Sequence, residues 1–229
     1  MKTRIFYVED DETLSFITQD QLSEEGFEVI HVADGNAAID LFDAEKYDLA
    51  ILDIMLPNAD GFAIAEKIRE QSMDIPILFL SAKSLEEDRL KGFSIGADDY
   101  LTKPFSMDEL IMKIKVFVRR NKINQFTENK TFSVGDFVLN ASDYMLKSAG
   151  FAKELTQKEA ALLQMFIEGK NQTIKREDIL IRLWGKNDYF LGRSLDVFIS
   201  RLRKYLSTDE SLKIHTVRGV GFRLEDDIK

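Results

Sequence analysis

The chain has no cysteine and few of several other residue types that carry chemistry. Its 229 residues include two histidines, one tryptophan and three prolines. The absence of cysteine excludes disulfides and thiolate zinc sites. His31 and His215 are too isolated in the sequence to suggest a metal cluster, so each is interpreted as a surface or packing residue. A metal site in this chain would have to rely on oxygen ligands, which suit Mg²⁺.

Long apolar runs are also missing. No stretch approaches the roughly 18 apolar residues that a membrane-spanning helix needs. The apolar segment after Lys2 and Arg4 is too short for a signal peptide. We therefore expect a protein of the cytoplasm that makes no membrane contact. A hydrophobic content of 45% is enough to bury a core in each of two domains of ordinary size.

Charge is distributed unevenly along the chain, whose formal net charge is −9. Residues 1–121 carry 13 basic and 25 acidic side chains, whereas residues 122–229 carry 18 basic and 15 acidic ones. The acidic half should repel nucleic acid, and the weakly basic half could bind it. Two solvated surfaces of opposite bias would explain the same numbers, so charge alone decides nothing.

The first half alternates short apolar runs with helical periodicity. Strands are predicted at 4–8, 27–30, 48–52, 76–80 and 98–101, and helices near 12–25, 34–44, 60–71, 85–94 and 106–120. This alternation predicts an α/β fold with a doubly wound, five-stranded parallel sheet. The central runs are apolar throughout, as expected for strands covered on both faces.

The second half has a different pattern. Residues 121–131 are polar and aperiodic, so we predict a linker there, between a domain at 1–120 and another at 132–229. Short β-like pieces reach residue 155, and helices are predicted near 156–169, 175–184 and 193–206. Thr156 and Glu159 have capping-box spacing at the first of these helices. A hairpin at 214–217 and 222–224 closes an α+β domain.

The last predicted helix is amphipathic. Its apolar stripe, predicted to be buried, consists of Leu195, Ile199, Leu202 and Leu206. The residues predicted to face outward are Arg193, Val197, Ser200, Arg201 and Lys204. Such a helix, followed by a basic hairpin, has the parts of a winged helix-turn-helix, whose second helix enters the major groove. On this helix alone, an ordinary amphipathic helix with a solvated basic face is the simpler interpretation.

Polar side chains stand where the predicted strands of the first half end. Glu9 and Asp10 follow the first strand, Asp53 the third, Ser81 the fourth and Lys103 the fifth. The carboxyl ends of parallel strands line one crevice, so these groups should converge. Three clustered carboxylates repel one another unless a cation lies among them, and oxygen ligands favour Mg²⁺. The pattern predicts metal-assisted phosphoryl transfer onto an aspartate.

These residues also carry a family resemblance. The segments Val8-Glu9-Asp10-Asp11, 51–57, Asp60-Gly61, 80–82 and 96–105 resemble the receiver domain of bacterial two-component response regulators. The segments 193–197, 201–204 and 216–223 are similar to the winged-helix effector of the OmpR/PhoB subfamily. The resemblance spans nearly the whole chain, with its motif blocks in the family's order.

The resemblance implies a role for each pocket residue. Asp53 would accept a phosphoryl group from a sensor histidine kinase or a small phosphodonor. Mg²⁺ would be held by Glu9, Asp10, Asp53 and the backbone carbonyl of Met55. Lys103 and Ser81 would contact the phosphoryl oxygens, Tyr100 would rotate inward, and Lys103–Pro104 would be a cis peptide bond. Asp11 is left outside the metal shell as a candidate helix cap.

The resemblance also implies a homodimer, promoter DNA and RNA polymerase as partners. The family-matched dimer pairs are Arg89 with Glu109, Asp99 with Lys113, and Asp98 with Arg120, around an apolar patch of Leu90, Phe93 and Met112. The candidate DNA contacts are Arg193, Val197, Ser200, Arg201, Arg203, Lys204 and Arg218. For the dimer residues, a solvated charged surface remains the ordinary alternative.

The sequence departs from the family pattern at two positions of the last helix. Phe198 and Ser200 stand where many relatives carry a histidine and an arginine. We interpret this as the loss of two DNA-contacting groups, which puts the base preference and the affinity in doubt. Two alternative functions are compatible with parts of this sequence. One is a phosphorylation-independent regulator that keeps the receiver fold, against which the complete pocket argues. The other is a phosphohydrolase with an aspartyl intermediate, but it needs a carboxylate at the position of Met55, so we expect no turnover enzyme.

Overall fold

The computed structural model describes residues 2–81, 86–126, 130–185, 187 and 189–226. The chain forms two compact units, Met1–Ile123 and Asn124–Lys229, and each is considered by itself below. Within the described ranges, no helix is both long enough and apolar enough to cross a membrane.

The first unit is a five-stranded parallel sheet between two layers of helices. Its strands are β1 (Arg4–Val8), β2 (Glu28–Val32), β3 (Leu49–Asp53), β4 (Ile77–Ser81) and β5 (Asp99–Thr102), in the order β2-β1-β3-β4-β5. Its helices are α1 (Glu12–Glu24), α2 (Gly35–Leu41), α3 (Gly61–Gln71), α4 (Glu86–Ile95) and α5 (Met107–Phe126). A 3₁₀ turn at Ala44–Lys46 follows α2, where the sequence predicted a longer helix. The predicted doubly wound fold is confirmed.

Both faces of the sheet are buried along its central strands. All five residues of β3 and of β4 are buried, which explains why these strands are apolar runs without alternation. On one face, α5 packs Leu110, Ile114 and Phe117 into a cluster with residues of β1, β3 and β4. These buried apolar side chains hold the strands in the order that places their carboxyl ends side by side.

Aspartates start three of the helices. Asp11, Asp34 and Asp60 precede α1, α2 and α3, and each side chain accepts hydrogen bonds from N–H groups of the first turn at 2.8–2.9 Å. Gly61 lets α3 approach the end of β3, because a Cβ atom there would lie 2.1 Å from the carbonyl oxygen of Asp53. The loops after β1 and β3 are thus held close to the strand ends.

The boundary between the units, at Ile123 and Asn124, falls within the predicted linker 121–131, but the first part of that segment is regular structure. Helix α5 continues to Phe126, so the segment 121–126 is helical, not aperiodic as predicted. This segment has neither proline nor glycine, and its lysine and glutamine are good helix formers, so nothing in it stops the helix. Residues 127–129 of the predicted linker lie outside the described part of the chain.

The second unit contains two antiparallel sheets and three helices. Strands β6 (Thr131–Val134), β7 (Phe137–Asn140), β8 (Met145–Ser148) and β9 (Phe151–Glu154) form a meander. Helix α6 (Gln157–Glu168), strand β10 (Thr173–Lys175) and helices α7 (Arg176–Trp184) and α8 (Tyr189–Leu206) follow. The closing hairpin is β11 (Leu212–Val217) and β12 (Gly221–Asp226), in the sheet order β10-β12-β11. The predicted winged helix-turn-helix is confirmed, with β10 as an addition too short for periodicity to reveal.

Helix α8 buries the predicted stripe and more. Leu195, Ile199, Leu202 and Leu206 are each at most 2% exposed. Phe198 is also buried, 1% exposed, with its ring 5.6 Å from that of Trp184. Interpreting Phe198 as the loss of a DNA-contacting group was therefore wrong. At about 100° per residue its direction lies near those of Leu195 and Leu202, on the buried side.

Candidate functional site

The predicted pocket residues meet at the carboxyl edge of the parallel sheet. Glu9 directly follows β1, Asp53 ends β3, Ser81 ends β4 and Lys103 directly follows β5. Glu9, Asp53 and Ser81 are buried, at most 5% exposed, whereas Asp10 is exposed. The edge next to β1 and β3 is the point where the strand order reverses, which is where open α/β sheets bind ligands.

Lys103 joins two carboxylates in this pocket. Its Nζ atom lies 2.5 Å and 2.7 Å from the two oxygens of Glu9 and 2.6 Å from Oδ2 of Asp53. The other oxygen of Asp53, Oδ1, accepts the N–H of Met55 at 3.0 Å. The Lys103–Pro104 peptide bond is cis. One ammonium group therefore balances two carboxylates that water hardly reaches.

Burial and charge shift the protonation of these groups. Burial, reinforced by the neighbouring charge of Asp53, raises the pKa of Glu9 to about 7, although the bond to Lys103 opposes this change. Burial alone would lower the pKa of Lys103, but its bonds to Asp53 and Glu9 outweigh that effect and raise the pKa. A further cation in the pocket would favour the ionised form of Glu9.

The acidic residues fit a divalent metal ion. Oxygen atoms of Glu9, Asp10 and Asp53 all lie within 4.8 Å of one another. Opposite ligands of an octahedral magnesium ion are about 4 Å apart, so these carboxylates would need only a small side-chain movement to share one ion. The donors are all oxygens, the ligands that Mg²⁺ prefers. Asp11 instead caps α1 through Thr13 and Leu14.

Ser81 and Tyr100 occupy the neighbouring strands β4 and β5. Tyr100 is 7% exposed, with its ring centroid 5.2 Å from that of Phe79 and 5.0 Å from that of Phe93. The ring lies inward in this structure. Room for it comes from Gly92 of α4, where a Cβ atom would lie 1.5 Å from the Tyr100 hydroxyl oxygen. Sequence analysis missed Gly92, although a glycine inside a predicted helix is a signal of close packing.

The acidic pair Asp98 and Asp99, at the start of β5, is bound within its own unit. Oδ2 of Asp98, a residue 3% exposed, accepts the N–H of Ile77 at 3.0 Å and lies 3.3 Å from Nη2 of Arg69. Asp99 forms an ion pair with Lys113 of α5, and both side chains are largely buried. The predicted dimer pair of Asp99 and Lys113 is thus already formed inside one chain. The side chains of Arg89, Leu90 and Arg120 lie outside the described part of the structure.

The apolar patch predicted for the dimer face needs a correction. Phe93 is 1% exposed because it packs against Tyr100, so it belongs to the core of the first unit. Helix α5 exposes Met112 and also Val116, at 67% and 38%, with Glu109 exposed one turn before them. Residues 109, 112 and 116 lie on one face of the helix, since they are spaced by three and four.

The outward face of α8 carries most of the predicted DNA contacts. Arg193, Ser200 and Lys204 are exposed, and Val197 is half-buried. Arg203 is exposed too, but its guanidinium donates to the carbonyl of Ile214 at 2.9 Å and to the Thr216 hydroxyl at 2.8 Å. Arg218 is exposed in the turn between β11 and β12. His215, interpreted as a surface or packing residue, lies beside Glu225 in the hairpin.

Arg201 does not face outward as predicted. It is half-buried, and its Nη1 atom binds Oε1 of Glu159 in α6 at 2.9 Å. Glu159 is fully buried, and its Oε2 atom accepts the N–H of Thr156, completing the predicted capping box. The buried face of α8 is wider than the leucine stripe. Ser194 and Phe198, which lie between the stripe and Arg201 around the helix, are also buried. The helical projection placed that boundary too close to the stripe.

A second arginine, absent from the predicted site, joins the two helices of the helix-turn-helix. Arg176 at the start of α7 makes a two-pronged contact with Asp196 of α8, at 2.9 Å and 2.8 Å. Its guanidinium also lies 5.6 Å from the ring centre of Phe222 in β12. These contacts hold α8 against α7 and the hairpin, so they fix the position of the outward face of α8.

Comparison with known proteins agrees with this arrangement. Residues 5–115 match the family model of the response regulator receiver domain, and residues 150–224 match that of the transcriptional regulatory protein, C terminal. The chain belongs to the OmpR/PhoB-type response regulators. Such a response regulator is a phosphorylation-activated, DNA-binding transcription regulator of a two-component system and not a turnover enzyme. Its receiver implies a histidine kinase as partner.

Relatives cover the response regulator along nearly its whole length. It is 39% identical over 223 residues to the transcriptional regulatory protein RprY of Bacteroides fragilis, covering 97% of this chain and 94% of that one. It is 38% identical over 227 residues to the uncharacterized transcriptional regulatory protein YclJ of Bacillus subtilis, covering 98% and 100%. The solved structure of DrrB, a Thermotoga maritima OmpR/PhoB homolog, is 28% identical with a TM-score of 0.52 and covers 98% and 100%.

Proposed function

We propose that Asp53 is the residue that receives the phosphoryl group in this response regulator. An oxygen of Asp53 attacks the phosphorus atom of a kinase phosphohistidine, the P–N bond breaks, and the imidazole nitrogen keeps the bonding electrons. The observation that carries this proposal is the convergence of Glu9, Asp10 and Asp53, with Lys103 bonded to two of them. Asp53 has the central position, because β3 lies in the middle of the sheet.

The acidic oxygens are proposed to hold Mg²⁺. Glu9, Asp10 and Asp53 would be its side-chain ligands, and the backbone carbonyl of Met55 would add a fourth. The ion supplies positive charge that offsets the negative charge gathering on the phosphoryl oxygens. Lys103 would pair with one phosphoryl oxygen, and the Ser81 hydroxyl would donate to another. These residues bind and orient the group and supply no turnover chemistry.

Phosphorylation is proposed to favour a symmetric receiver dimer. Ser81 and Tyr100 lie on the adjacent strands β4 and β5, and Tyr100 packs against Phe93 of α4. A change at Ser81 can therefore shift the equilibrium between conformations of the surface formed by α4, β5 and α5. No new long-range contact is needed for this shift. Glu109, Met112 and Val116 are exposed on that surface. A two-fold arrangement would form each contact twice.

The second unit is proposed to bind promoter DNA through α8 and the hairpin turn. Arg193, Ser200, Lys204 and Arg218 are exposed in these elements. Lysines and arginines that neutralise phosphates supply most of the sequence-independent affinity, and α8 would face base edges in the major groove. Contact with RNA polymerase and a cytoplasmic location, where the chromosome lies, belong to the same proposal.

The proposal is tested by labelling the full chain with acetyl phosphate and Mg²⁺. Intact-mass spectra should show one added phosphoryl group, and Asp53→Asn or EDTA should abolish it. Asp34→Asn is the matched control, since Asp34 caps α2 outside the pocket and asparagine caps equally well. This variant should be labelled like the wild type. Equal labelling of wild type and Asp53→Asn would remove Asp53 from the role.

A further inference from the structure

His31 lies in β2, next to the strand that presents the acidic residues. It pairs with Tyr7 of β1 in the parallel ladder, and the two rings lie 5.5 Å apart. Tyr7 is fully buried, so its ring is held in place where it packs against the imidazole. The Nε2 atom of His31 lies 2.8 Å from the carbonyl oxygen of Glu9. A residue without an expected role thus touches the backbone of the pocket.

The contact between His31 and the carbonyl of Glu9 indicates which ring nitrogen carries a hydrogen. A carbonyl oxygen only accepts hydrogen bonds, so Nε2 must carry the hydrogen. Glu9 also donates its own N–H to the carbonyl of Val32 at 3.1 Å. The peptide groups on both sides of Glu9 are therefore fastened to β2, one by the backbone and one by the His31 side chain.

This hydrogen bond reaches Asp10 through the rigidity of the peptide group. The carbonyl of Glu9 and the N–H of Asp10 belong to one planar unit. A fixed direction of the carbonyl therefore fixes where the Asp10 backbone starts and which way its side chain leaves. Asp10 is exposed, so packing does not hold its carboxylate in place. Its position beside Glu9 and Asp53 depends on the backbone that carries it.

We infer that His31 is a positioning residue for Mg²⁺ binding, holding the Glu9–Asp10 peptide group so that Asp10 stays next to Glu9 and Asp53. The inference rests on the proposed magnesium site. Groups that orient metal ligands through hydrogen bonds typically change metal affinity by about 10- to 100-fold when they are removed. Losing His31 should therefore weaken the binding of Mg²⁺ without changing the reacting groups Asp53 and Lys103.

The experiment compares His31→Leu and His31→Gln by calorimetric titration of the full chain with MgCl₂. His31→Leu keeps the bulk of the side chain and loses the donor, so its Kd should rise by about tenfold. His31→Gln retains an N–H donor and should return the affinity toward that of the wild type. His215→Leu removes the other histidine of the chain, in the second unit, and should bind Mg²⁺ like the wild type.

Two further measurements separate positioning from a general loss of structure. Labelling by acetyl phosphate should need more Mg²⁺ in His31→Leu, but its rate at saturating Mg²⁺ should match the wild type. Long-range proton–nitrogen spectra of the wild type should show hydrogen on Nε2 of His31. Unchanged Mg²⁺ affinity in His31→Leu, or no rescue in His31→Gln, would overturn this inference while leaving the proposed function intact. A wild type that binds no Mg²⁺ would overturn both.

Discussion

Glu159 shows how a single buried charge can decide the role of its partner. The residue is fully buried, yet both carboxylate oxygens are satisfied, one by the N–H of Thr156 and one by Arg201. Burial, followed by the nearby charge of Glu159, raises the pKa of Tyr205 to about 12. A buried carboxylate that loses its cation strongly destabilises the fold. Arg201 is therefore needed to pair with Glu159 and is not free to contact DNA.

We expect Arg201→Ala to lower the free energy of unfolding of the second unit by about 3 kcal/mol, because it leaves Glu159 buried and unpaired. Urea unfolding followed by the fluorescence of Trp184, the single tryptophan, measures this loss. Lys204→Ala on the exposed side of α8 is the control and should stay within about 0.5 kcal/mol. Adding Glu159→Gln to Arg201→Ala should recover part of the loss.

A wild-type unfolding midpoint for Arg201→Ala, together with weakened DNA binding, would restore the sequence-based interpretation of this arginine. Sequence predicted Thr156 and Glu159 as a capping box, and the structure confirms it. It could not reveal that the same carboxylate also binds a residue 42 positions later. Spacing along one helix limits which residues share a face, but it does not show which neighbouring helix covers the margin of that face.

Helix α4 shows a packing requirement at the scale of an element. Gly92 faces Tyr100 and Phe79, and a Cβ atom there would lie 1.5 Å from the Tyr100 hydroxyl and 2.9 Å from the Phe79 ring. In an exposed helix, replacing glycine by alanine gains about 1 kcal/mol. Here the added methyl group would force the aromatic ring to move, and overpacking of a core costs about 1 to 3 kcal/mol. The second effect should win.

Gly92→Ala should therefore destabilise the first unit by about 1 kcal/mol or more, because the inward position of Tyr100 is blocked. Scanning calorimetry of the full chain measures the change. In a Tyr100→Leu background the ring and its hydroxyl are gone and only the contact with Phe79 remains, so the same substitution should cost clearly less. Equal losses in both backgrounds would mean that Gly92 does not make room for Tyr100.

Elements were predicted best where one physical rule dominated. The central parallel strands follow from apolar runs buried on both faces, and the meeting of their polar end residues follows from the crevice that the carboxyl ends of parallel strands share. Strand β10 was missed because three residues cannot show a period. The end of α5 was placed about six residues too early, because polar residues without proline or glycine allow a helix to continue.

At the scale of the whole molecule, acidic side chains are concentrated in the first part of the chain and basic ones in the second. This distribution fits the proposed roles of the two parts, phosphoryl acceptance and DNA binding. Residues 1–121 hold 25 of the 40 acidic side chains, and residues 122–229 hold 18 of the 31 basic ones. Repulsion between acidic receivers opposes their association unless specific pairs offset it. The proposed dimer must therefore rely on complementary contacts such as Asp99 with Lys113, and this pair is already closed within one chain.

This internal pair changes how the dimer has to be tested. A charge swap made within one chain would restore the internal ion pair whether or not a dimer forms, so it cannot distinguish the two arrangements. Two different variants can. Lys113→Glu has acidic residues at both positions and Asp99→Lys has basic ones, so each opposes its own internal pair. Across a two-fold axis between the two variants, however, both pairs would be complementary.

We expect each variant alone, phosphorylated with acetyl phosphate and Mg²⁺, to sediment as a monomer, because like charges face each other within the chain and across the axis. An equimolar mixture should sediment as a dimer, since only the mixed dimer brings opposite charges together at both contacts between positions 99 and 113. Circular dichroism checks that both variants are folded. If the mixture stays monomeric while the wild type dimerises, the Asp99–Lys113 pair serves the fold of one receiver. The dimer that brings two effector units to neighbouring half-sites must then use another surface.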